Sequence, residues 1–140
     1  MVFSEQTTRL THTGVMAMLS AAVDKAEKMG QPQCIVIVDA SGVELGSLRM
    51  SGAKYLSFKS ARTKARTSAS ISAPSANVPE AIRDRIVSAT QNNITSLPGG
   101  LPIMIGGVLA GGIGIGSGTS AQDVEVANAA LSAIGATTFE

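Results

Sequence analysis

GVLAGGIGIGSGTSAQD, residues Gly107 to Asp123, is the stretch on which the fold turns. It contains neither G-x-G-x-x-G nor G-x-x-x-x-G-K-[ST], so it carries no nucleotide fingerprint. Gly112, Gly114, Gly116 and Gly118 recur instead at every second residue, with Ile113 and Ile115 among them. A period of two is a strand signal and predicts all four glycines on one face. Such a bare face lets a helix, a partner chain or a flat ligand approach the backbone. Beyond it, Ser117-Gly118-Thr119-Ser120 leads into a helix start, and Ser120-Ala121-Gln122-Asp123 resembles a capping box with Asp in the acidic place. The N–H groups of a helix start suit a carboxylate or phosphate, although an ordinary cap accounts for Ser120 equally well.

Working outward, LPIMI and VLAGGIGI form a hairpin around Gly106-Gly107. An earlier hairpin lies in CIVIVDASGVELGSLRM: a β-branched run from Cys34 to Val38, a turn at Ala40-Ser41-Gly42, then Val43 to Met50. Its first strand reads as buried on both faces. Thr11 or Thr13 caps a first helix with Val15, Leu19, Ala22, Val23, Ala26 and Met29 on one stripe, ending at Gly30. Ser57 to Ser72 reads as an alanine-rich helix. Pro79 opens another, with Ile82, Ile86 and Ala89 inward, and a last helix carries Val124, Ala127, Leu131 and Ile134. Helix, hairpin, two helices, hairpin, helix is the order of an antiparallel sheet with helices packed on it, not of a doubly wound nucleotide fold.

Composition narrows the function. The 140 residues suit one domain, residues 1–140, and 11 basic against 10 acidic side chains leave no footprint for nucleic acid. Cys34 is the single cysteine, so no internal disulfide forms. The N-terminus lacks the order of a secretion signal, and glycine and proline break up the uncharged run between Arg85 and Asp123. The expectation is a cytoplasmic protein without a membrane segment.

Lys64 is the most telling candidate. At ~100° per residue, Ala61, Ala65, Ser68 and Ser72 form the inward stripe of its helix, while Lys59, Arg62 and Arg66 take the wet side. Lys64 falls among the small residues, where a lysine either snorkels outward or holds an anion in a partly desolvated pocket. Arg49 ends a strand as a solvated charge or as a carboxylate clamp. With the turn at Ser117–Ser120, the two cations would make an anion pocket if they converge. His12 is the only histidine, which disfavours a catalytic zinc site; it, Met50 and Met104 have the side chains of axial haem ligands. Cys34 reads as a small core residue, and Asp39 as a turn hydrogen-bonder.

The succession LTHTGVMAMLSAAVDKAEKMGQP, IVIVDASGVELGSLRMSGA, SFKSARTKART and LPGGLPIMIGGVLAGGIGIGSGTSAQD resembles the GlcG/HbpS-like family, and the C-terminal domain of PduO-type proteins, over about Leu10 to Ile134. The resemblance implies an α/β (α+β) profilin-like fold, an antiparallel five-stranded sheet with helices on its faces, assembled into homo-oligomers. It implies a small-molecule ligand, haem or another flat or anionic compound. The alternative is a hydrolase of small-carboxylic-acid catabolism, a deaminase of aminomuconate-like substrates. In that case Arg49 and Lys64 would be catalytic, Arg49 and the Ser117–Ser120 helix start holding carboxylates and Lys64 polarising a carbonyl or imine or activating water. The candidate ligand-binding residues in either reading are Arg49, Lys64, Gly114, Gly116, Ser117, Gly118, Thr119 and Ser120. An accessory role, with the glycine face spent on subunit contacts, is the third expectation.

Overall fold

A computed structural model describes all residues from Met1 to Glu140. The elements run α1 (His12–Met29), β1 (Cys34–Asp39), β2 (Glu44–Arg49), α2 (Tyr55–Ile71), α3 (Arg83–Ala89), β3 (Gly100–Ile105), β4 (Val108–Gly116) and α4 (Ser120–Ala133). This is the expected order. The sheet is antiparallel throughout, in the order β2-β1-β4-β3.

It has four strands, not the five expected. Four runs of the chain have a strand pattern, and the stretch between α2 and β3 goes instead into short 3₁₀ turns and α3. Pro74 and Pro79, which lack the N–H a ladder requires, stand at the starts of those turns. No residue of α3 is buried, so the stripe of Ile82, Ile86 and Ala89 does not face a core as expected.

The two sheet faces are packed differently. Ile35, Ile37, Ile113 and Ile115 point toward α1 and α4, where they meet Met18, Ala22, Ala26, Val126 and Leu131 in the main core. On the other face Cys34, Val36 and Val38 lie against Ala61, Ala65 and Ala69 of α2. There β4 presents Gly112, Gly114 and Gly116, paired with Val38, Val36 and Cys34 in turn. A Cβ on Gly112 would overlap the carbonyl of Ala65, one on Gly114 that of Ala61, and one on Gly116 would stand 2.6 Å from that of Ser57. The glycine face therefore exists to seat α2, backbone against backbone. Gly118 lies past the end of β4, outside this row.

Capping fixes the helix positions. Thr11 Oγ1 accepts from Gly14 N at 3.1 Å, and Gly30, in the left-handed region at φ +66°, closes α1. At α4 the capping box is one residue earlier than expected. Thr119, not Ser120, is the cap, and Gln122, not Asp123, completes it: Gln122 N donates to Thr119 Oγ1 and Thr119 N to Gln122 Oε1. Asp123 is thereby free to turn inward.

Candidate functional site

The stripe of α2 that seats on the glycines also carries Lys64 beneath the end of β4. Its side chain is buried, and Nζ donates to Ile115 O at 2.8 Å and to Asp123 Oδ2 at 3.0 Å. Gly99 makes room for this contact: at φ +117°, its hypothetical Cβ would lie 3.0 Å from Nζ and 2.9 Å from Ile115 O. The other carboxylate oxygen of Asp123 accepts from Gly118 N at 3.1 Å. A negative charge is favoured at a helix start, and here the anion is the chain's own carboxylate.

Around this pair the turn after β4 is tied down by neighbouring chain. Ser117, at φ +97°, accepts from Lys54 N through Oγ and from Gln31 Nε2 through its carbonyl. Gln33 is fully buried beside Gly118, and neither its amide nitrogen nor its amide oxygen has a hydrogen-bond partner. The structure thus gathers Lys64, Ser117, Gly118, Thr119 and Ser120 about Asp123, while Gly114 and Gly116 are covered by α2. Arg49 stands apart. It pairs with Cys34 across β1, and Gly116 pairs with Cys34 from the other side.

Cys34 is buried, as expected, with Sγ donating to Lys54 O at 3.5 Å. Burial raises its thiol pKa; the Arg49 charge opposes this and the Asp123 charge adds to it. Asp39 makes the expected turn bonds, its Oδ1 accepting from Ser41 N and Val43 N.

Between the C-terminal half of α1 and the end of β2 lies a cleft of about 580 Å³. Val23, Ala26, Leu48 and Met50 supply its apolar wall, Glu27 and Arg49 its charges, and Gln31 joins it to the Ser117 turn. Arg49 is exposed and forms no ion pair.

The sequence pattern of the family described as "haem degrading protein HbpS-like" matches residues 10–132. The chain belongs to the HbpS-like family. Among its relatives is the corrinoid adenosyltransferase PduO of Salmonella typhimurium, 30% identical over 125 residues. That match covers 86% of this chain and 37% of PduO, so the chain spans little more than a third of that relative's length. Two solved structures are similar as well. The PduOC:haem complex superposes with a TM-score of 0.87 at 28% identity, over 95% of this chain and all of that one. A double mutant of Streptomyces reticuli HbpS gives 0.81 at 31% identity, over 92% of this chain and 89% of that one.

In this HbpS-like chain the three candidate haem ligands, His12, Met50 and Met104, sit on different parts of the fold. His12 is exposed at the first turn of α1, and Met104 lies on β3, the edge strand opposite β2. Met50 lines the α1–β2 cleft, its sulfur accepting from Gln33 N at 3.4 Å. Sequence reasoning did not find the cleft, nor Gln33 and Asp123 as neighbours of the Gly118 turn. The available signal was Gln31-Pro32-Gln33, a polar pair set directly before a buried strand.

Proposed function

We propose that this protein binds haem, or a comparably flat anionic small molecule, in the cleft between α1 and β2. The cleft itself carries the proposal: apolar side chains on its wall beside an arginine without an ion-pair partner. Val23, Leu48 and Met50 would cover the face of a ring, and Arg49, whose side chain leaves β2 on the Cys34 side of the sheet, would reach a carboxylate at the rim of the cleft through its planar fork. Met50 offers a thioether, a donor that haem iron accepts, so the residues present fit the group. Bound haem would supply a redox-active iron centre. His12 begins the helix whose C-terminal half lines the cleft, roughly 16 Å from Val23 and roughly 22 Å from Glu27 at 1.5 Å per residue, and so would not join Met50 on the same iron in one chain.

The haem complex of the similar PduOC structure supports this reading. In it, Lys64 is a frame residue: its ammonium is committed to Ile115 and Asp123, and the pair would hold the Ser117–Ser120 turn against Gln31 at the cleft. Homo-oligomeric assembly belongs to the proposal and is supported by exposed Val43 and Leu45 on and beside edge strand β2.

Titration of the purified protein with haemin, followed by visible absorption, tests the reading. A saturable change in the haem spectrum is expected, weakened in Arg49→Met and altered in band position in Met50→Leu. A free-haem spectrum unchanged by the protein overturns it.

A further inference from the structure

On the α2 side of the molecule, away from the cleft just described, a second concavity of about 510 Å³ lies where the β1–β2 turn, α2 and the end of α3 meet. Ser41, Ser70, Thr90 and Asn93 line it with the side chain of Arg66, beside the apolar Ala40 and Ile94. No Asp or Glu lines it. Gly42 supports the arginine twice: its carbonyl accepts from Arg66 Nε at 3.2 Å, and Arg66 Cγ packs 3.7 Å from where a Cβ on Gly42 would stand. That single bond tethers the guanidinium at Nε and uses one of its five donors. The terminal nitrogens have no partner within the chain, and Glu44, the acid close enough to feel the Arg66 charge, is held by Arg62 Nε at 2.8 Å.

A guanidinium tethered at Nε, with its terminal donors unspent and no acid in its concave lining, has the chemistry of an oxyanion receptor. The hydroxyls and amide around it add donors and acceptors suited to a ligand that carries hydroxyls of its own. We propose that this cleft is a binding site, separate from the haem cleft, for a small hydroxylated oxyanion, the charged group on Arg66 and the hydroxyls toward Ser41, Ser70 and Asn93. The shared chemistry is a carboxylate or phosphate on a short polyol. No residue is common to the two clefts, so failure of one reading leaves the other standing.

Amide chemical-shift titration of the isotope-labelled full chain tests this with four probes: glycerol 3-phosphate, glycerate, inorganic phosphate and glycerol. Saturable shifts are expected at Ser41, Gly42, Ser70 and Asn93 with glycerol 3-phosphate or glycerate. Whichever binds tighter identifies the oxyanion, inorganic phosphate should bind more weakly, and glycerol should leave the amides unmoved. Arg66→Gln should weaken binding about tenfold or more, the scale of a lost charge-assisted hydrogen bond. Arg66→Lys, which keeps the charge and the packed stem, should fall between, and Lys59→Gln, on the exposed face of α2 outside the cleft, should bind like the parent. Absence of saturable shifts with both hydroxylated anions overturns the proposal, as does an Arg66→Gln variant that binds unchanged. Equal affinity for glycerol 3-phosphate and inorganic phosphate overturns the part assigned to the hydroxyls.

Discussion

Lys64 and Asp123, 59 residues apart in sequence, meet at 3.0 Å with both side chains almost wholly out of water. The pair joins the middle of α2 to the first turn of α4 across the end of β4, and it is completed by Ile115 O and Gly118 N. Every strong partner of the ammonium belongs to the chain, which sets a clear expectation for its removal.

Lys64→Met leaves the Asp123 carboxylate buried without its counter-charge. Breaking one side of such a pair costs about 3–5 kcal/mol. Replacing both, as Lys64→Met with Asp123→Asn, removes the orphaned charge and should recover part of the loss. Urea unfolding of the two variants checks this; a single variant as stable as the parent would show that the ammonium is not held as described.

The glycines predict opposite signs at two positions. Gly114→Ala drives a Cβ into the carbonyl of Ala61, backbone that moves only if α2 lifts, so a loss of about 1–3 kcal/mol or more is expected. Gly14→Ala, in the first turn of α1, meets nothing closer than Thr11 Oγ1 at 3.6 Å. Restricting the unfolded chain there should stabilise by about 0.4–1 kcal/mol. Thermal melting of both variants reads the contrast directly.

The element order was legible because each hairpin and helix announces itself locally, through the Gly106-Gly107 turn, the Cys34–Val38 run and the alanine stripe of α2. The period-two glycines marked a close approach, but sequence could not say whether helix, partner or ligand fills it; α2 fills it. Lys64 stood out as a cation on an apolar stripe. Its partner did not, because Asp123 reads from sequence as a helix-start acid and only the meeting of α2 and α4 brings it under Lys64. The α1–β2 cleft was invisible for the same reason: Val23 and Ala26 looked like core, and their neighbours Leu48 and Met50 come from a different element.

Cys34 should be inert in the folded protein. Burial keeps reagents away and also raises the thiol pKa, so less of the reactive thiolate exists near neutral pH. Labelling with a thiol-reactive dye should therefore follow global unfolding, its rate rising exponentially with added urea. Rapid stoichiometric labelling under native conditions would contradict the packing of Cys34 against α2 and Lys54.

Glu44 gives the pH test. Burial would raise its pKa, but hydrogen bonds from Arg62 and Ser47, with the charges of Arg62 and Arg66, outweigh that and hold it below the usual carboxylate value. A depressed folded pKa means that the contribution to stability is fully present above the unfolded pKa of about 4.3 and is lost as pH falls through the folded value. Both side chains of the Arg62 pair are about one-third exposed, so solvent screening limits the effect to about 0.2–1 kcal/mol. Carboxyl chemical shifts should show Glu44 titrating below a model glutamate, with the midpoint moving upward in Arg62→Gln. Part of the depression should persist in that variant because Arg66 still acts on the carboxylate, and Arg62→Gln with Arg66→Gln should remove more of it. A Glu44 midpoint insensitive to both arginines would mean that the turn between β1 and β2 is not fastened to α2 in solution, and the wall of the Arg66 cleft would go with it.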